Sequence, residues 1–140
     1  MRIESGRTWL VRVDAATTWV VLGIETDDGQ TGLGEALLPG REHLLARALE
    51  EAATALVGRP VEAAHGPAKR LADDQPTGLF EATVHATIDQ CLWDLRGKQF
   101  KQPVYRLLGP VRRTGIELYA NINRGTRDRT PEGFAARARE

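Results

Sequence analysis

Asn121, Asn123, Arg124, Arg127, Asp128 and Arg129 form the one polar constellation in this chain whose residue types and spacing suit chemistry with a ligand. They close the apolar-rich run Leu118 to Ile122, which reads as a strand, and a polar loop above the C-terminal end of a strand is where α/β barrels and sheets hold ligands. Guanidinium and amide groups there suit a carboxylate or a polyol, since both offer several directional donors. The competing reading is a solvated loop in which Asp128 pairs with a neighbouring arginine.

Other candidates carry less. Gly32-Leu33-Gly34-Glu35 has two glycines at phosphate-loop spacing but lacks the third, and it does not open a helix directly. Those glycines read as positions where a strand approaches another backbone closely, with Glu35 as a partly buried carboxylate. Asp89 and Asp94 lie about 140° apart around a helix and cannot share a proton, so one of them is expected to pair with a cation such as Arg96 or Lys98. No two of His43, His65 and His85 have the i, i+4 spacing that puts two imidazoles on one metal, and they read as solvated or packing residues. Cys91 lies on an apolar stripe with Ile88 and Leu95, where burial makes a thiol inert.

The elements that position these residues are legible from period and punctuation. Trp9 to Val13, Trp19 to Glu25 and Thr31 to Ala36 read as an antiparallel meander, with DAATT as the first connection and Asp28-Gly29 as the second turn. After Pro39-Gly40 the period becomes helical, with Leu45, Ala48, Leu49, Ala52 and Leu56 on one face and Gly58 and Pro60 at the end. Val61 to Asp74 reads as short helices bent at Gly66-Pro67. A long helix carries Phe80, Val84, Ile88, Cys91, Leu92 and Leu95, with Gly97 and Lys98 closing it. Pro103 to Leu108 reads as one more helical turn. Ile116 to Ile122 is the expected last strand, and Thr130, Pro131 and Glu132 announce a helix by cap, first-turn proline and dipole charge.

The 140 residues include nineteen basic and nineteen acidic side chains, so no electrostatic footprint points to nucleic acid or to an anionic membrane. A single cysteine excludes an internal disulfide and fits a reducing, cytoplasmic setting. No stretch reads as a signal peptide or a membrane span. A lone strand-helix start has no later parallel strand to pair with, so the layout predicts that these residues are the front part of a larger α/β protein.

Four stretches in order carry a resemblance: the hairpin IETDDGQTGLGEA, the helix ATIDQCLWDLRGK, the following QPVYRLLG, and LYANINRG leading into TPEGFAARA. Together they resemble the N-terminal part of the enolase superfamily, in its mandelate racemase and muconate lactonizing branch. Pro110 departs from the second glycine of the LLGG pattern usual in that family, a change expected to affect only the local turn.

The resemblance implies an α+β fold. Residues 1–112 would be an enolase-like N-terminal capping domain, a three-stranded antiparallel meander plus helices, and residues 113–140 the first strand and first-helix start of a truncated (β/α) barrel. It implies an enzyme that abstracts the α-proton of a carboxylate substrate with a Lys or His base and Mg²⁺, as a sugar-acid dehydratase or a racemase. The base and acidic metal ligands of such enzymes lie on later barrel strands, so no catalytic or metal residue is carried over and the chain alone is expected to be inactive. The implied substrate contacts are Thr17 and Thr18, in a loop over the substrate from Asp14 to Thr18, and Asn121, Asn123 and Arg124. The implied partners are a small carboxylate or sugar acid and further copies of the chain as a homo-oligomer. The alternative is a stand-alone, non-catalytic module that binds a protein partner through the surface a barrel would cover.

Overall fold

The computed structural model describes residues 1–64, 78–110, 113–119, 121–123 and 125–140. They form two compact units, Met1–Gly109 and Pro110–Glu140.

The first unit is built on an antiparallel sheet in the order β1 (Ile3–Arg12), β2 (Thr18–Thr26) and β3 (Thr31–Ala36). Alternation on β2 decides its faces: Val20, Leu22 and Ile24 are buried, while Trp19 and Glu25 are exposed. The turn into β3 closes as Asp-Gly predicts, with Gly29 at φ 78° and its amide donating to the Thr26 carbonyl at 2.8 Å. β1 begins at Ile3, well before the expected Trp9. Glu4, Ser5, Gly6 and Arg7 have weak strand propensity, but β2 is available to pair with Ser5, Gly6 and Arg7, the register shifting at Glu4. The start of β1 is also held from its other side, where Ile3 N donates to Arg59 O at 3.0 Å and Gly58 N to Ile3 O at 2.7 Å.

Helix α1 (Glu42–Thr54) buries Leu45, Leu49 and Ala53 against the sheet. It runs antiparallel to β1: Gly6 lies so close to Ala53 that an added Cβ would overlap the alanine methyl, and Thr8 meets Glu50. After Gly58, at φ 80°, residues 61–64 are helical. The rest of the helical stretch expected up to Asp74, with His65 and Gly66-Pro67, lies outside the described residues.

Helix α2 (Leu79–Phe100) buries Val84, Ile88, Cys91, Leu92 and Leu95. It passes the expected stop at Gly97 and Lys98 and ends at Phe100, with Lys101 in the left-handed region at φ 50°. Gly97 is there for packing instead. A Cβ on it would stand 3.0 Å from Gln102 O and 3.4 Å from Val104 Cγ2, where the chain turns back into α3 (Val104–Leu107).

Between sheet and α2 the contact is backbone to backbone. A Cβ at Gly32 would overlap the Cys91 carbonyl oxygen, and one at Gly34 the Thr87 carbonyl oxygen. The sequence expectation of glycines at a close approach holds here. Glu35 differs from it: the residue is exposed, because it alternates with Gly34 and faces away from the helix.

In the second unit, α4 (Pro131–Arg137) starts as expected, with Thr130 Oγ1 accepting from Gly133 N at 3.1 Å. The expected strand from Ile116 to Ile122 forms no ladder among the described residues, and Ile116, Leu118 and Tyr119 are 82%, 96% and 88% exposed. A strand exists only as part of a ladder, and no described neighbour supplies one.

The helix–sheet contact predicts an asymmetry among glycines. Gly34→Ala should cost about 3 kcal/mol by forcing α2 off the sheet, whereas Gly29→Ala, in open space, should cost about 1 kcal/mol of left-handed strain. Urea unfolding of both variants checks this, and equal losses would contradict it. A second expectation concerns acid. Glu50 Oε1 accepts from Thr8 Oγ1 at 2.6 Å and from Thr8 N at 3.3 Å, and the hydroxyl bond foremost holds its carboxyl below the usual 4.5. A lowered folded value adds stability above pH 4.5 that is lost as pH falls through it. Thr8→Val should therefore flatten the acid limb of a stability–pH curve while lowering stability at neutral pH.

Candidate functional site

The β1–β2 connection is a preformed hairpin rather than a slack loop. Asp14 Oδ1 accepts from the amides of Ala16 at 2.8 Å and Thr17 at 2.7 Å, an Asx turn that anchors the corner. The Ala16 amide, then the Thr17 hydroxyl, hold the Asp14 carboxyl below its usual range. Thr17 closes the hairpin through its carbonyl, which accepts from Val13 N at 2.9 Å and Asp14 N at 3.3 Å. Thr18 opens β2 directly across from Arg12.

Because α1 runs antiparallel to β1, its N-terminus arrives beside this hairpin. Between them lies a cleft of about 370 Å³ lined by Leu10, Arg12, Ala15, Ala16, Thr18, Glu42 and His43. Glu42 is committed to the helix start: Oε1 accepts from Gly40 N at 2.9 Å, and the amides of Glu42 and Gly40 keep its carboxyl low. Arg12, Thr18 and His43 remain as the groups that can meet a solute, and guanidinium, hydroxyl and imidazole together suit a carboxylate or polyol. Of the expected contacts Thr17 and Thr18, only Thr18 lines the cleft; Arg12 is not among the sequence expectations, and His43 reads there as a solvated or packing residue. Counting back across the DAATT turn would have found Arg12 opposite Thr18. The helix end beside them is a tertiary fact.

In the second unit the expected contacts are spent largely on one another. Asn121 Oδ1 accepts from Asn123 N at 3.0 Å, and Arg129 forks onto Asn123, reaching Oδ1 at 2.7 Å and the carbonyl at 3.2 Å. Asp128 Oδ1 takes the Thr130 amide at 3.2 Å, and the Arg129 guanidinium lies 5.6 Å from the Phe134 ring centre. Arg124 lies outside the described residues.

The rejected candidates are placed as structure, not chemistry. Asp94 pairs with Lys98 at 2.8 Å, while Arg96 stacks over Trp93 at 4.9 Å. Cys91 is buried with Sγ 3.5 Å from Leu22 O, and burial pushes its thiol up to about 12. Among the described residues no group of three His, Cys, Asp or Glu side chains converges to hold a metal, so the residues present do not fit a Mg²⁺ site. Nor is any described helix long and apolar enough to cross a membrane. A thiol reagent at pH 8 should leave native Cys91 unmodified and label it only in step with urea unfolding; fast labelling of the folded chain would contradict its burial.

Residues 10–109 match the family described as mandelate racemase / muconate lactonizing enzyme, N-terminal domain. A D-galactonate dehydratase of Xanthomonas euvesicatoria is 36% identical over 114 residues, covering 80% of this chain and 30% of the relative. A D-galactonate dehydratase family member of Pseudarthrobacter chlorophenolicus is 36% identical over 108 residues, covering 75% of this chain and 26% of the relative. This chain thus spans about a third or less of the curated relatives it matches. The solved structure of an enolase from Agrobacterium radiobacter, with Na and L-malate bound, superimposes with a TM-score of 0.72 at 31% identity, over 81% of this chain and 29% of that one. A protein from Mesorhizobium loti assigned as a dehydratase gives a TM-score of 0.84 at 26% identity, over 100% of this chain and 38% of that one.

Proposed function

Since this chain belongs to the mandelate racemase / muconate lactonizing enzyme family, whose N-terminal domain spans residues 10–109, we propose that it is the capping part of a Mg²⁺-dependent sugar-acid dehydratase. Residues 1–112 form the cap and 113–140 begin the barrel. The enzyme is a cytoplasmic homo-oligomer, and its metal ligands and base lie on parts that these residues do not include. Dehydratase is favoured over racemase because the relatives at 36% identity are a D-galactonate dehydratase and a D-galactonate dehydratase family member.

The observation that carries the reading is the cleft under the Asp14 corner. The Asx turn ties Asp14 to the amides of Ala16 and Thr17, and below it Thr18 with Arg12 presents hydroxyl and guanidinium to a sugar acid from a corner already folded, which lowers the ordering cost. In the second unit Asn121, Asn123 and Arg124 are the proposed polar contacts. The exposed run Ile116, Leu118 and Tyr119 also suits a stand-alone module that buries it on a partner, and the same experiment separates the two readings.

That experiment joins residues 1–109 of this chain to the portion of the Xanthomonas D-galactonate dehydratase that it does not cover. The folded chimera should dehydrate at least one member of an aldonate and aldarate panel in a Mg²⁺-dependent manner, and the 140-residue chain alone should not. Arg12→Ala in the active chimera should raise KM about tenfold with kcat little changed. A folded chimera with no turnover would overturn the reading in favour of the module.

A further inference from the structure

Among the described residues β3 has a strand neighbour on one side only, since the sheet order is β1-β2-β3. Gly32, Gly34 and Ala36 pair with Ile24, Leu22 and Val20, and the ladder continues to the Thr26 amide, which donates to Gln30 O at 3.0 Å. In an antiparallel pair the residues between those rungs turn their backbone groups the other way. Thr31, Leu33 and Glu35 therefore present N–H and C=O groups to the outside, a row that invites another strand.

Side chains of α2 meet that row at each of these residues. Glu35 N donates to Gln90 Oε1 at 2.9 Å, Leu33 N donates to Asp94 Oδ2 at 2.9 Å, and Lys98 Nζ donates to Thr31 O. Asp94 and Lys98 are joined to each other at 2.8 Å. The spacing explains how one helix can do this. Gln90, Asp94 and Lys98 recur every four residues, a rise of about 6 Å per step, and Glu35, Leu33 and Thr31 recur every two, about 6.6 Å per step. Helix row and strand edge stay in register across these rungs, and the absence of side chains at Gly32 and Gly34 brings the helix near enough to reach.

We propose that the Gln90–Asp94–Lys98 row is an edge cap that denies β3 to the β3 of a second copy, so that self-association of this protein is confined to other surfaces. The occupant excluded is a copy of the same strand. β3 is glycine-rich, and its Leu33, with Leu37 just beyond it, is about half exposed at 51% and 45%. Two such strands, paired antiparallel about Leu33, would satisfy the freed backbone groups and bury both leucines.

The test is on the whole 140-residue chain carrying Gln90→Ala and Asp94→Ala. With a native circular dichroism spectrum retained, the double variant should show Leu33 and Glu35 amides exchanging about tenfold or more faster at low concentration. Its light-scattering mass should rise with concentration to twice that of the wild type. Adding Leu33→Pro, which removes one outward N–H and is tolerated on an edge, should return the mass to the wild-type value. A mass that never exceeds wild type, or one that Leu33→Pro does not reverse, would overturn the proposal. Should the double variant lose its native spectrum, Gln90→Met alone should speed exchange at Glu35 and not at Leu33, and equal change at both or at neither would overturn it.

Discussion

The first unit is organised by the place where β3 and α2 touch through their backbones. Gly32 and Gly34 leave no side chain between strand and helix, and the carbonyl oxygens of Cys91 and Thr87 occupy the space a Cβ would need. Close approach of this kind gives up two side chains' worth of apolar burial and gains a short, fixed helix–sheet distance. Leu92 and Leu95 lie fully inside, in one core with Leu22 and Ile24. Cys91 then sits as a small apolar filler beside Leu22 O.

A related contact sets the other half. Gly6 against Ala53 seats α1 on β1, and the antiparallel run that follows carries Thr8 to Glu50 and the hairpin to the start of α1. The candidate cleft is a consequence of that seating. Its polar groups come from two separate sequence regions, Arg12 and Thr18 on one side and Glu42 and His43 on the other. Small residues at the seams thus decide where the charged ones meet.

The family assignment and the site geometry bear on different questions. Membership rests on residues 10–109, which are the cap. Acid–base chemistry on a carboxylate needs a tuned base and stabilised charge, and among the described residues no group of three His, Cys, Asp or Glu side chains converges to hold a metal for the second. In the proposed reading, this chain would offer a substrate shape and a few donors beside a hairpin tied by its own Asx turn, which is how a cap contributes to specificity without touching the reacting atoms.

Local rules carried much of the reading. The Asp28-Gly29 turn, the strand at Thr31 to Ala36, the apolar face of α1 and the Thr130 cap were legible because each depends on residues a few positions apart. The two glycines of β3 were legible as a close approach, though not the element they approach. Tertiary structure alone decided the rest: that the weak strand formers Ser5, Gly6 and Arg7 join the sheet because β2 is there to pair with them, and that Gly97 packs against Val104 instead of ending its helix. It also decided that Ile116 to Ile122 forms no ladder among the described residues, and that Arg12 and His43 line one cleft. Those outcomes depend on which partner stands across a gap, and no window of neighbouring residues contains that information.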